Sequence, residues 1–414
     1  MKLKQIISVA TLVCVTGFAM AQQKKAVFII IDGVSKDVIE KLPTPNLHAI
    51  AKEGALLSAY QGGEVKKYNE TPTISAPGYN NVLTGVWYNK HNVPDNEIAA
   101  PNYHYPTIFR LFKNQYPNKK TAVFSSWEDN RTKLVGDGLP QTKNIKIDYH
   151  FDGLENDTVN FKHDKERTFM ARIDQAVTDE AAKQISTNAP DLSWVYLEFT
   201  DDMGHMYGDS PQFYDAVQAA DKRVGQIWEA IKVRKEKYNE DWLIVITTDH
   251  GRSPKNGKGH GGQSDRERAS WIVTNAKPNT YASSGQSSVV DILPTIARFL
   301  EVKLTTDEQR ELDGFPLTGN VSLVQPEAVK TANKLAVTWK PVNNDGKVKV
   351  WLASTNNYNK TGEYDKYTLV GEAPVKDGKF DIDLGKQPAS NIYKIVLEGK
   401  YNTANRWVVS NIKQ

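Results

Sequence analysis

Four short apolar runs constrain the fold of this chain more than any other feature of its sequence. They lack the polar–apolar alternation of a strand with one face in water, and such runs are typical of strands buried on both faces of a parallel sheet. Segments with helical spacing lie between them, for example from Gln212 to Lys232. We therefore predict an α/β fold with a mostly parallel central sheet sandwiched by helices. The four runs are Ala26–Ile31, Thr121–Ser125, Trp194–Phe199 and Trp242–Thr247.

Acidic residues follow three of these runs directly or within two positions. They are Asp32, Asp201 and Asp249. A single Asp after a strand is usually a turn or capping residue. Ligand sites of open parallel sheets, however, lie outside the carboxyl ends of the strands. Three acids delivered to one edge therefore favour a binding site over three unrelated turns.

Histidines accompany two of these acids, and one more lies in a glycine-rich loop. They form Asp201-x-x-x-His205, Asp249-His250 and the His260 loop GKGHGG. Imidazole and carboxylate are the ligands that zinc takes where thiolate is absent, although manganese or iron binds similar sets. The candidate metal ligands are thus Asp32, Asp201, His205, Asp249, His250 and His260.

The first residues of the chain have the pattern of a secretory signal. Lys2 and Lys4 precede an apolar run from Ile6 to Phe18, which is too short to cross a bilayer, and Ala19-Met20-Ala21 is a small-x-small cleavage pattern. We predict a signal peptide over residues 1–21, export to the periplasm or medium, and no stable membrane insertion. The only cysteine, Cys14, lies in this segment, which excludes a cysteine nucleophile in the exported form. A net charge of +3 gives no reason to expect a nucleic-acid polymer as partner.

The pattern of apolar residues changes from helical spacing to alternation near Asn320. Beyond it, alternating runs such as Lys347–Leu352 and Tyr393–Leu397 are separated by Asn, Gly and Asp. Asn343–Gly346 (NNDG) is typical of a hairpin turn. We predict a signal peptide at 1–21, an α/β domain at 22–320, and a small β-sandwich of fibronectin-III or immunoglobulin type at 321–414.

The ordered set of strand-end acids and histidines resembles the alkaline-phosphatase superfamily, and within it the nucleotide pyrophosphatase/phosphodiesterase branch. The resemblance covers roughly residues 26 to 318. It implies two Zn²⁺ ions. One would be held by Asp201, His205 and His260, and the other by Asp32, Asp249, His250 and the Ser75 oxygen. The motifs that carry it are Asp32-Gly33, Tyr196-x-Glu198-x-x-Asp201-x-x-Gly204-His205, Thr248–Gly251, Gly259–Gly261, Asp291–Thr295 and Leu312–Leu317.

Three hydroxyls compete as nucleophile, those of Thr71, Thr73 and Ser75. Ser75 is followed by Pro77 and an apolar helical stretch, which places it at a helix N-terminus, where free N–H groups favour an anion. The branch pattern of Ser/Thr-x-Pro, Thr-Gly, His and Asp-Asn recurs at Ser75, Thr84-Gly85, His91 and Asp95-Asn96. The resemblance implies that Ser75 forms a phosphoseryl intermediate and that Asn96 donates to a non-bridging phosphoryl oxygen, whereas the branch usually has Thr at the position of Ser75.

The residues after the second apolar run bear on the substrate. A monoesterase relative carries Ser-x-Lys-Asp-Arg there, and this chain has Ser126-Trp127-Glu128-Asp129-Asn130. Glu128 would repel a dianionic monoester, although Arg131 could compensate, so we predict a phosphodiester of nucleotide, glycerophospho- or lipid head-group type. The predicted substrate-binding residues are Asn96, Trp127, Glu128 and Tyr79.

Four alternatives stay open at this point. The chain could be an alkaline phosphomonoesterase, a phosphonate hydrolase or a sulfatase of the same superfamily. A sulfatase needs Cys/Ser-x-Pro-x-Arg, and Tyr79 occupies the Arg position. The fourth alternative, from another class, is an exported metal-binding protein without turnover.

Overall fold

The central sheet has eight strands, and most of them run parallel. The computed structural model describes residues 22–410, so the signal peptide predicted at 1–21, with Cys14, lies outside the described residues. Strand order is β4-β3-β5-β1-β6-β7-β2-β8, and only β7 runs antiparallel to its neighbours. The predicted fold class is confirmed. The strands are β1 Gln23–Ile31, β2 Ala55–Tyr60, β3 Thr121–Ser125, β4 Tyr149–Phe151, β5 Leu192–Leu197, β6 Glu240–Thr247, β7 Ala269–Thr274 and β8 Ser287–Ser288.

Helices cover both faces of this sheet. Along β1, Phe28 and Ile30 belong to one hydrophobic cluster, while Ile29 and Ile31 belong to a second cluster on the other face. A strand buried on both sides needs apolar residues at every position, which explains the continuous run in the sequence. The helices are α1 Lys36–Lys41, α2 Pro45–Glu53, α3 Ser75–Thr84, α4 Tyr88–His91, α5 Ile108–Gln115, α6 Thr168–Thr187, α7 Phe199–Tyr207, α8 Pro211–Lys237, α9 Asp265–Arg268, α10 Ile292–Phe299, α11 Thr306–Glu311 and α12 Asn357–Thr361.

The three strands that end in acids are neighbours in the sheet. β1 lies between β5 and β6 and is parallel to both, with Ile31 opposite Leu197 and Ile30 opposite Thr247. The run predicted to reach Phe199 ends as a strand at Leu197, because Phe199 begins α7. This register brings the residues after all three strands to one edge.

The C-terminal part consists mainly of antiparallel strands, as predicted, with the short α12 between two of them, but the expected hairpin is wrong. It forms a three-stranded sheet, β13-β10-β9, and a four-stranded sheet, β12-β11-β14-β15. The turn at Asn343–Gly346 joins strands of different sheets, because each strand has an apolar face that is buried inside the sandwich. The strands are β9 Leu323–Thr331, β10 Lys334–Pro341, β11 Lys347–Ala353, β12 Thr368–Pro374, β13 Lys379–Asp383, β14 Ile392–Glu398 and β15 Thr403–Val409.

The two parts of the chain share one core. A single hydrophobic cluster runs from α3 and α10 to the inner faces of the C-terminal sheets, so the division at 320/321 stays a prediction. At the junction, the fully buried Lys90 donates to Asp313 Oδ1 at 2.6 Å, to the Glu311 carbonyl at 2.7 Å and to Asn405 Oδ1 at 3.0 Å. Within residues 22–410, no helix combines the length and apolarity needed to cross a bilayer.

Replacing Lys90 with methionine is expected to lower the free energy of unfolding by about 3–5 kcal/mol, because it leaves Asp313 buried without its cation. Urea denaturation measures the loss. The control is Lys334→Met, whose ammonium pairs with Asp381 at 2.6 Å on the surface, and where we expect less than about 1 kcal/mol. Equal losses in the two variants would contradict a structural role for the buried ammonium.

Candidate metal centre and nucleophile

Asp32 and Asp249 each use one carboxylate oxygen for the protein and leave the other oxygen without a hydrogen bond. Asp32 Oδ2 accepts from the Tyr196 hydroxyl at 2.6 Å and from the Tyr79 hydroxyl, and Asp249 Oδ1 accepts from Gly33 N at 3.1 Å. Asp32 Oδ1 and Asp249 Oδ2 are buried and have no hydrogen-bond partner among residues 22–410. Such orphaned oxygens are expected where a cation binds.

His250 turns Nε2 toward both oxygens. Its Nδ1 lies 2.9 Å from the Gly251 carbonyl, which can only accept, so Nδ1 carries a proton and Nε2 is the nitrogen that can bind a metal. Nε2 lies 3.3 Å from Asp32 Oδ1 and 3.3 Å from Asp249 Oδ2. The ligand atoms of these three residues all lie within 4.8 Å of one another, so three potential metal ligands meet in one buried space.

The charge of this space also calls for a cation. Burial, followed by the neighbouring Asp32 carboxylate, raises the pKa of Asp249 well above its usual range. Burial lowers the pKa of His250, but Asp249 and Asp32 raise it to about 9 in the metal-free protein, where a proton supplies the missing positive charge. A divalent ion bound by the same atoms would take the place of that proton.

A second group of ligand atoms adjoins the first. Asp201 lies in the first turn of α7, and His205, one turn later, places Nε2 3.1 Å from Asp201 Oδ2. His260 Nε2 lies 3.0 Å from His205 Nε2, and its Nδ1 lies 2.9 Å from the Thr73 carbonyl, so Nδ1 donates and Nε2 is unprotonated. The rings of His250 and His260 stack at 3.7 Å. All six predicted ligands therefore lie in one continuous cluster.

Of the three candidate hydroxyls, Ser75 is the one that faces this cluster. Ser75 is the first residue of α3, and its Oγ lies 3.5 Å from His250 Nε2. Thr71 Oγ1 donates to the Asn69 carbonyl at 3.1 Å, and Thr73 Oγ1 donates to the Gly262 carbonyl at 2.7 Å. The two threonine hydroxyls hold loops, and the serine hydroxyl is placed among the candidate ligands.

Asn96 and His91 flank the start of α3 in different ways. Asn96 Oδ1 accepts from Ala76 N at 2.9 Å, which leaves its amide Nδ2 as the atom that can donate to a ligand. His91 accepts from Val93 N at Nδ1 and therefore donates from Nε2 to Asn81 Oδ1, at 2.8 Å. Burial lowers the pKa of His91 to about 3, so it stays neutral and supports the helix.

Comparison with known proteins agrees with this arrangement. The family model of type I phosphodiesterase / nucleotide pyrophosphatase matches residues 26–297. The chain belongs to this family. The resemblance inferred from the motifs is thereby confirmed.

Within this family, the human ectonucleotide pyrophosphatase/phosphodiesterase family member 5 is 25% identical over 287 residues, 68% of this chain and 54% of that protein. The bis(5'-adenosyl)-triphosphatase enpp4 of Xenopus laevis is 22% identical over 297 residues, 70% of this chain and 60% of that protein. The chain thus spans only part of these relatives. A solved structure of human member 5 has a TM-score of 0.48 and 14% identity, covering 68% of this chain and 96% of that chain.

The predicted pocket residues of this phosphodiesterase-family chain do not all lie where we expected them. Tyr79 has no exposed surface, and its hydroxyl donates to Asp32, so it supports a candidate ligand and cannot contact a substrate. Trp127 meets the edge of the Tyr79 ring at 6.3 Å. Glu128 is 43% exposed and accepts from Asn156 Nδ2 at 3.3 Å. Substrate contacts by Trp127 and Glu128 stay predictions.

Two residues that touch the candidate ligands were not among the sequence candidates. The Tyr196 hydroxyl donates to Asp32, and Arg252 Nη1 lies 2.6 Å from Asp201 Oδ1. A signal existed for each. Tyr196 is the first residue of the motif that contains Asp201. Arg252 directly follows the Asp249–Gly251 motif.

Proposed function

We propose that this protein is an exported, two-metal phosphodiesterase that uses Ser75 as its nucleophile. The observation that carries the proposal is the meeting of carboxylate and imidazole ligand atoms at the sheet edge, with a serine hydroxyl at the same place. A capping serine or a set of turn acids would not require orphaned carboxylate oxygens. The side chains that meet at this edge of the sheet are those of Asp32, Asp201, His205, Asp249, His250, His260 and Ser75.

The residues fit two divalent ions of the zinc type. Asp32, Asp249, His250 and Ser75 would hold one, and Asp201, His205 and His260 would hold the other. Imidazole with carboxylate and no thiolate favours zinc. Bound at these positions, the two ions would supply Lewis acidity and lower the pKa of the serine hydroxyl.

The chain's own groups define the reaction. Ser75 Oγ attacks phosphorus in line, the phosphorus–serine oxygen bond forms, and the bond to the leaving alcohol breaks. The positive end of the α3 dipole favours the anion at Ser75, and Asn96 Nδ2 donates to a non-bridging oxygen. Water then cleaves the phosphoseryl group and frees Ser75 for the next turnover.

Charges beyond the metal centre favour a diester. Glu128 and Asn130 occupy the positions of two cations in a monoesterase relative. Arg131 lies 3.8 Å from Glu128 Oε1. Its guanidinium is shared with Asp152, at 2.6 and 2.9 Å, and with Asp137, at 2.9 Å, so this one cation does not neutralise all three carboxylates. With that cation neutralised, a transferred group carrying one negative charge is better accommodated than a dianion. The names of the relatives lead us to include nucleotide diesters and pyrophosphates among the substrates.

We expect the wild-type enzyme to hydrolyse bis-p-nitrophenyl phosphate with a higher kcat/KM than p-nitrophenyl phosphate. Glu128→Lys should shift this ratio toward the monoester by about tenfold, because the charge reversal replaces a repulsion with an attraction and acts more strongly on a dianion than on a monoanion. Glu128→Gln should give a smaller shift in the same direction. The control is Glu372→Lys on the C-terminal β-domain, which should not change the ratio. If Glu128→Lys also leaves it unchanged, the charge argument for a diester fails.

A further inference from the structure

Arg252 is a buried cation beside the metal centre. Its side chain has no exposed surface, and the residue to which it is ion-paired is Asp201, with Nη1 2.6 Å from Oδ1. Its remaining donors go to main-chain carbonyls. Nη2 donates to Lys258 O at 3.1 Å, Nε donates to Gly257 O, and Nη1 also lies 3.4 Å from Gly33 O. Fully burying an arginine is costly unless its donors are used, and here the hydrogen bonds of the side chain all go to Asp201, to the loop before His260 and to Gly33.

Two glycines provide the space for this guanidinium. A Cβ atom at Gly204, between Asp201 and His205 on α7, would lie 2.3 Å from Arg252 Cζ. A Cβ atom at Gly33, next to Asp32, would lie 2.5 Å from Nη1. Real Cβ atoms do not approach other atoms so closely, so any larger residue at either position would displace the arginine. The slot between Gly33 and Gly204 is therefore the space that the planar guanidinium of Arg252 fills.

The contacts of Arg252 join two parts of one candidate metal site. It holds Asp201 Oδ1, which leaves Oδ2 to face His205 Nε2 at 3.1 Å. It also holds the loop of residues 253–259, which is closed by Ser253 N donating to the Gly259 carbonyl at 2.6 Å and which leads directly to His260. Asp32 and Asp249, in contrast, are oriented by neutral donors from Tyr79, Tyr196 and Gly33.

We propose that Arg252 is a positioning residue for one of the two metals, the one bound by Asp201, His205 and His260. It holds Asp201 as a ligand through a single oxygen and sets the loop so that His260 presents Nε2. This inference rests on the metal centre proposed above. The side chain of Arg252 makes no hydrogen bond to Asp32, Asp249 or His250, and its one bond toward them is the long 3.4 Å contact with Gly33 O, so its loss affects the other metal less.

Two effects of the guanidinium oppose each other, and a pair of variants separates them. Its charge repels a metal cation, so removing it should tighten binding. Its five-donor fork orders the ligands, so removing it should weaken binding. Arg252→Lys keeps the charge but cannot hold Asp201 and both loop carbonyls at once, whereas Arg252→Met loses both. If positioning dominates, both variants bind the metal more weakly, by roughly 10–100-fold as is typical for partners of metal ligands.

The test is calorimetric titration of the chelator-stripped protein with zinc. Wild type should bind two equivalents. Arg252→Lys and Arg252→Met should each bind one equivalent about 10–100-fold more weakly, with the other within about threefold. The matched control is Arg234→Met, which also removes a buried guanidinium, paired there with Glu240 at the start of β6, and should leave both affinities unchanged. In an Asp201→Asn background, Arg252→Met should leave unchanged the affinity for the zinc ion that Asp32, Asp249 and His250 bind.

Three results would overturn the assignment: unchanged affinities in both Arg252 variants, an equal loss at both equivalents, or tighter binding in Arg252→Met with wild-type binding in Arg252→Lys. Circular dichroism of the stripped variants checks that they are folded before titration. A wild-type protein that binds fewer than two zinc ions or lacks diesterase activity would instead contradict the proposed function, which keeps the two failures distinct.

Discussion

Ser75→Ala is expected to lower kcat/KM for bis-p-nitrophenyl phosphate by at least about 10³-fold, because it removes the only atom that attacks phosphorus in the proposed reaction. The loss should appear in kcat. The metal ligands keep their carboxylates and imidazoles, so zinc content should stay within about twofold of wild type. Initial rates and metal analysis on one sample measure both quantities.

The control for this variant is Thr71→Val. Thr71 is one of the three hydroxyls that the sequence left in competition, and it lies four residues before Ser75. Its hydroxyl donates to the Asn69 carbonyl and accepts from Tyr88 N at 3.1 Å, so its loss should cost stability and less than about tenfold in activity. More than a tenth of wild-type activity in Ser75→Ala would reject the nucleophile and leave the metal centre standing.

Removal of the metals is expected to abolish turnover and to lower the melting temperature by about 5–10 °C. Without a cation, Asp32 and Asp249 are two buried carboxylates beside each other, and burial followed by Asp32 raises the pKa of Asp249 well above its usual range. The metal-free native state is therefore destabilised by the charges that the zinc ions neutralise. Differential scanning calorimetry with chelator and with restored zinc measures the difference in melting temperature between the metal-free and the zinc-bound protein.

The pH dependence of this difference in melting temperature follows from the raised pKa of Asp249. With a raised pKa, the metal-free folded state holds a proton that the unfolded chain has lost, so its stability falls as pH rises from about 4 through the raised pKa. The zinc-bound state does not hold this proton. The difference in melting temperature should widen with rising pH. Ser75→Ala should show the same widening, and a gap that shrinks with pH would contradict the role given to Asp249.

The C-terminal strands pack into the same hydrophobic core as the preceding part of the chain. Lys394 on β14 binds Asp365 at 2.9 Å and also Glu311 of α11, and Trp407 stacks on Tyr68 at 5.7 Å. The contacts of Lys394 with Glu311, of Trp407 with Tyr68 and of Lys90 with Asn405 join the C-terminal strands to three earlier parts of the chain. The loss of unfolding free energy in Lys90→Met therefore reports how much one of these contacts between the two parts of the chain contributes to stability.

Local patterns were sufficient to place the four buried strands and the start of α3. The strand Thr121–Ser125 has the predicted bounds, and α3 begins at Ser75, since buried parallel strands and helix starts are set by neighbouring residues. The hairpin expected at Asn343–Gly346 was wrong for the opposite reason. A turn signal shows that the chain turns, but which strand pairs with which depends on faces buried against distant residues.

The amino-acid sequence by itself determined which groups could bind a metal, their order, and their delivery to one edge of a parallel sheet. Only the tertiary structure decided which oxygen of each acid is free, that Tyr79 supports Asp32 from within the core, and that Arg252 fills a slot between Gly33 and Gly204. These facts depend on atoms brought within hydrogen-bond distance from positions far apart in the chain. No local pattern encodes such distances, because they result from how the whole core packs.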